Sequence, residues 1–104
     1  MVNVFPNGYD IDEDRVRTIV DSTLEQHGIT GNYEVTVNFI SEAEMQKLYD
    51  KEAHDVLSFP LDKELGPDEV TRLGDIVVLG NLSEQKQNEL IAHSCLHLLG
   101  IHHK

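Results

Sequence analysis

His93 and His97 are separated by four positions near the end of the chain, and histidine at that spacing is metal chemistry in outline. On an α-helix they stand about 40° apart around the axis and one turn along it, close enough to reach one ion. Gly100 follows, a residue type that ends a helix cheaply in the left-handed conformation, so the chain beyond it can fold back. His102 or His103 can then bring a third imidazole. Three protein nitrogens with one open position are what a catalytic zinc or similar divalent ion needs, because the open position holds the water that it acidifies.

A helical His pair alone is more often surface decoration than a ligand set. The balance shifts because four of the six histidines fall within the last twelve positions, as a pair, a glycine stop and a second pair. Around the helix axis from Leu90, residues Ile91, Ser94, Cys95, Leu98 and Leu99 make a broad apolar arc, with His93 and His97 beside it. They are therefore expected to face a partly buried cleft, where a metal on one ring nitrogen and an acceptor on the other satisfy each imidazole. The zincin protease signature requires Glu directly after the first His, and here that residue is Ser94. That speaks against a conventional metalloprotease; any base must be the metal hydroxide or come from elsewhere in the fold.

The rest of the chain has to hold that helix in place. With 104 residues and 39% hydrophobic content, residues 1–104 suit one domain with one modest core. No apolar run approaches a membrane span and the N-terminus lacks signal-peptide regions, so the expectation is a soluble, cytoplasmic protein with no membrane partner. Cys95 is the single cysteine, which excludes an internal disulfide; lying about 200° around the helix from His93, it reads as core. Net charge is −11, and the eight basic residues are scattered rather than gathered in a stripe. Composition alone therefore speaks against a nucleic-acid partner, although a bound cation and residues gathered by folding can offset local repulsion.

Val2-Asn3-Val4-Phe5 alternates up to a Pro6-Asn7-Gly8 turn and predicts a first strand. Asp12 then caps a helix whose core face is Val16, Ile19, Val20 and Leu24, closed by Gly28, with His27 meeting the dipole of the last turn. Tyr33, Val35, Val37 and Phe39 alternate with polar residues and mark a strand with one buried face. Ser41 and Glu44 form a capping box for a short helix with Met45, Leu48 and Tyr49 inside. Val56 to Phe59 reads as a strand stopped by Pro60, Leu61 to Arg72 as a charged loop, and Leu73 to Gly80 as a strand covered on both faces and carrying one acid, Asp75. Asp75 can be a cap, a partner of a base or an acceptor for a ligand histidine. Ser83 caps the last helix, polar all round in its first turns and apolar nearly all round in its last. The order β-α-β-α-β-β-α implies an α+β fold: helices on a small, mixed, four-stranded sheet, with the C-terminal helix carrying the histidine motif.

Three segments together resemble the YbeY-type endoribonucleases of bacterial ribosomal RNA maturation. His93-Ser94-Cys95-Leu96-His97-Leu98-Leu99-Gly100-Ile101-His102-His103 is similar to their His-Gly-x-Leu-His-Leu-x-Gly-Tyr-Asp-His motif, with three histidines in register. Asp55 to Pro60 resembles their Thr-Asp-Val-Leu-Ser-Phe-Pro strand, and Leu73 to Val77 their Leu-Gly-Asp-Ile strand. The likeness spans roughly residues 33 to 103. It implies one zinc (or another divalent ion) held by His93, His97 and His103, with Ser58 and Asp75 as candidates to support the ligands. It also implies metal-dependent hydrolysis of single-stranded RNA in ribosomal RNA processing, in association with the ribosome. The chain departs from the family pattern at Ser94 for glycine, at His102 for aspartate, and at Asp50, which follows Tyr49 where members carry an arginine. The stretch from Asp75 to His93 is short for the family, and members continue past the position of Lys104 into another helix. Two other readings follow from the same residues: a non-catalytic RNA- or ribosome-associated module stabilised by its metal, and a metal-dependent hydrolase of another substrate.

Overall fold

The computed structural model describes residues 1–29, 32–48, 55–60 and 70–100. Seven elements follow in the expected order: β1 (Val2–Phe5), α1 (Glu13–Gln26), β2 (Tyr33–Ile40), α2 (Glu42–Leu48), β3 (Val56–Pro60), β4 (Thr71–Leu79) and α3 (Glu84–Leu98). They form the α+β architecture foreseen from the sequence, one four-stranded mixed sheet in the order β1-β2-β4-β3. β1, β2 and β4 run parallel, and β3 returns antiparallel along β4 as an edge strand. Parallel neighbours need a crossover, which α1 supplies between β1 and β2. No helix among the described residues is long and apolar enough to cross a membrane.

Local chemistry sets the helix starts. The Asp12 carboxylate accepts the Arg15 N–H at 3.2 Å, and the Ser83 hydroxyl accepts the Lys86 N–H at 3.3 Å. At α2 the Glu44 N–H donates to Ser41 Oγ at 3.2 Å while the Ser41 N–H reaches back to the Glu44 carboxylate at 3.5 Å, the reciprocal pair of a capping box. His27 holds the end of α1, its Nδ1 lying 2.9 Å from the Thr23 carbonyl.

The main core lies on one face of the sheet. Val35, Val37 and Phe39 of β2 and Ile76 and Val78 of β4 meet Val16, Val20 and Leu24 of α1 and Ile91, Cys95 and Leu98 of α3. On the other face Ile40, Val77 and Leu79 form a small cluster with Met45 of α2. The intervening run of β4 is thus buried on both sides, as its unbroken apolar sequence requires. The expected inner face of α2 also included Leu48 and Tyr49; the Leu48 side chain and residue 49 lie outside the described residues, as do residues 50–54 and 61–69.

Two features differ from the sequence reading. β4 begins at Thr71, because Thr71 and Arg72 already pair with Tyr33 and Glu34; part of the expected loop is strand. The early turns of α3 are also less wet than their composition suggests. Gln87 is only 2% exposed, since its amide donates to the Leu79 and Gly80 carbonyls at 3.4 and 3.3 Å and its carbonyl accepts from Arg15 of α1 at 3.0 Å. A polar side chain with all these partners can be buried at little cost.

Candidate active site

α3 is placed by its own arc of Ile91, Ser94, Cys95 and Leu98, all buried against the sheet. That leaves the next strip of the helix, with His93 and His97, facing β3. The helix ends as its glycine dictates: Gly100 has φ +82° and its N–H donates to the His97 carbonyl at 3.0 Å. His93 and His97 lie one above the other with ring centroids 4.5 Å apart, planes at 75°, and Nε2 atoms 2.8 Å apart. Two imidazole nitrogens so close cannot both carry a proton; one donates to the other.

The imidazoles overlook a cleft of about 430 Å³ lined by Val56, Leu57, Ser58 and Pro60 of β3 together with His93, Ser94 and His97. Antiparallel register puts Val56, Ser58 and Pro60 opposite Val78, Ile76 and Gly74, so all three point to the α3 side of the sheet. Gly74 lets the helix come this near. A Cβ on it would stand 2.4 Å from the Phe59 carbonyl oxygen, 2.9 Å from Pro60 Cα and 2.8 Å from Leu98 Cδ2. The pairing of β2 with β4 also slips beside it, between Glu34 and Val35, a bulge that turns this corner of the sheet.

The donor set fits a divalent ion. Zinc binds imidazole at about 2.0–2.1 Å, and tetrahedral angles then separate two ligand nitrogens by about 3.3 Å. Moving the two Nε2 atoms from 2.8 Å to that distance requires only a small tilt of each ring on the rim of an open cleft. Among the described residues no group of three His, Cys, Asp or Glu side chains converges, so two donors are accounted for. His103, and its alternative His102, lie outside the described residues.

The other candidates separate. Ser58 shares the cleft with the imidazoles. Asp75 falls on the opposite face of the sheet, alternating with Ile76 of the α3 side, so its carboxylate stands away from the imidazoles. Cys95 is core, as its angle on the helix indicated: it is fully buried, and burial, with the negative charge of Asp21 added, pushes its thiol up to about 12. One residue gains a place that the sequence reading gave only to the core. Ser94 lines the same cleft beside the two imidazoles, is 0% exposed, and its hydroxyl has no hydrogen-bond partner among the described residues. Its position inside the apolar arc was the signal, because a hydroxyl there must either find a partner or remain a cost.

Fold and site together define a single-sheet α+β protein with a helix-borne imidazole pair over a cleft at the sheet edge. The sequence profile of the family described as Endoribonuclease YbeY matches residues 7–104. The endoribonuclease YbeY of Thermoanaerobacter sp. (strain X514) is 33% identical over 120 aligned positions, covering 88% of this chain and 75% of the relative. That of Clostridioides difficile (strain 630) is 33% identical over 112 positions, covering 86% and 71%. That of Finegoldia magna is 36% identical over 88 positions, covering 69% and 57%. The chain belongs to the endoribonuclease YbeY family. An aligned length of 120 exceeds the chain's own 104 residues, so the Thermoanaerobacter relative carries segments that this chain lacks.

Proposed function

We propose that this protein is a metal-dependent endoribonuclease that cleaves single-stranded RNA in ribosomal RNA maturation, working in the cytoplasm in association with the ribosome. The observation that carries the reading is the convergence of the His93 and His97 Nε2 atoms, 2.8 Å apart over a cleft, in a chain of this family. His93, His97 and His103 are the residues that would hold the ion, with zinc the expected metal. A divalent ion held there supplies Lewis acidity, lowering the pKa of water toward neutrality and countering charge on a phosphoryl oxygen.

The chain's own groups do the positioning. Val56 and Pro60 give the cleft an apolar wall that displaces solvent and strengthens the electrostatics beside it. The Ser58 hydroxyl faces the same space and can donate to a phosphate oxygen or accept from a ribose hydroxyl. Helix α3, fixed along its length by the core, holds both imidazoles in one geometry, so little reordering is needed when substrate arrives.

The test is cleavage of a single-stranded ribosomal RNA fragment by the metal-loaded protein beside His97→Ala. Products from the parent and a loss of about a hundredfold or more in the variant are expected. Equal products from both would remove the proposal. The net charge of −11 favours a second reading, a non-catalytic RNA- or ribosome-associated module that keeps its metal for folding. In that case chelation lowers the melting temperature while RNA stays intact with or without metal.

A further inference from the structure

The strand that floors the cleft also borders a second surface. Alternation along β3 sends Ser58 and Pro60 to the α3 side and Phe59 to the other side of the sheet. There, among the described residues, the Met45 cluster covers only the end near Ile40 and Leu79. Toward the opposite end, register sets Phe59, Asp75, Thr36 and Asn3 in one row across all four strands, with Asn38 beside Phe5 in the next. Phe59 is 44% exposed and Phe5 48%, while the chain's third phenylalanine, Phe39, is fully buried on the α3 face. The four polar residues between them are half-buried. Burying a phenylalanine gains about 1.5–3 kcal/mol, so two rings left open on one face forgo a gain that an occupant of that face would recover.

What would occupy it follows from the chemistry and the location. Strands lie about 4.8 Å apart, which puts rings on opposite edges on the order of 15 Å from each other, a width over which four-stranded RNA-recognition sheets stack about two or three bases. Asn3, Thr36 and Asn38 can donate and accept along base edges, and the Asp75 carboxylate can accept from amino groups of cytosine or guanine. The flanking neighbours of Phe59 in β3 line the cleft, so a strand that leaves this face over the β3 edge arrives beneath His93 and His97. We infer that the open sheet face docks the single-stranded RNA substrate with its bases toward the sheet, Phe5 and Phe59 serving as stacking platforms. This rests on the nuclease reading of the cleft and adds where the rest of the substrate lies. A chain of charge −11 gains little from phosphates, and bases-inward docking keeps them away from its acids. Affinity then comes from stacking, and its salt dependence is shallow where phosphate-dominated binders lose orders of magnitude.

The chain has no tryptophan, so Phe59→Trp installs a single reporter. In the full chain carrying Phe59→Trp with His97→Ala, so that RNA is not consumed, a short unstructured single-stranded RNA quenches the indole emission saturably, and duplex RNA does so weakly. Phe59→Ala and Phe5→Ala each weaken binding by about tenfold, leave the melting temperature unchanged, and raise KM without lowering kcat. Unchanged emission with RNA, quenching by an oligolysine peptide in its place, a steep loss of binding from about 50 to 200 mM salt, or parental affinity in both alanine variants would each overturn the inference. Cleavage is scored separately with the parent chain. A protein that quenches but never cuts loses the nuclease reading alone, and one that cuts without quenching loses the docking face alone.

Discussion

Gly74 is where single residues matter most to the cleft. Its φ is +142°, and a Cβ added there would overlap the Phe59 carbonyl oxygen, so a methyl group would have to move backbone of β3, not a side-chain tip. Gly74→Ala is therefore expected to cost about 2–4 kcal/mol, read as a lower denaturant midpoint, and to reduce RNA cleavage because β3 and α3 part at the cleft. Ser94 gives the opposite sign. Its hydroxyl is buried without a partner among the described residues, so Ser94→Ala removes a desolvation cost, and stability should hold or rise by about 1 kcal/mol in the metal-free protein. A loss of similar size in chemical denaturation would mean that the hydroxyl is bonded in solution. Of the site residues, the imidazole pair was legible because a spacing of four has one meaning on a helix, and the glycine stop fixed where that helix ends. The side of the sheet that Asp75 takes was not, since one slip in register exchanges the faces of a strand.

Between elements, a polar link joins β2 to α1, where the Tyr33 hydroxyl donates to the Asp21 carboxylate. Burial first, and then this bond and the charge of Asp21, raise the phenol well above its ordinary value of 10.0. The folded protein then holds this proton more tightly than the unfolded chain. The contribution is complete below about pH 10 and is lost as pH climbs beyond it toward the folded-state value. Denaturant midpoints followed upward from about pH 9 should fall in the parent and fall less in Tyr33→Phe; parallel curves would refute the link. Strand alternation and caps made most elements readable one by one, including the capping box at Ser41 and the N-caps at Asp12 and Ser83. The burial of Gln87 was hidden, because its partners, Arg15 and the carbonyls at the end of β4, come from elements remote in sequence or turned by the fold.

At the scale of the molecule, the sheet separates two jobs. Its α3 face carries the core and the imidazoles, and its other face, only partly covered by α2 among the described residues, carries two exposed phenylalanines. The α+β class was readable from the order of periodic segments, whereas the strand order β1-β2-β4-β3 depends on which buried faces meet in space, information that no local pattern holds. The nuclease reading turns on the divalent ion proposed for His93 and His97. Elemental analysis of the purified full chain, beside His93→Ala checked for unchanged helix content, tests it most directly. The parent should retain one divalent ion per chain through dialysis and the variant should lose it. A parent that comes through free of metal yet still cleaves RNA, or a variant that keeps the ion, would contradict the account.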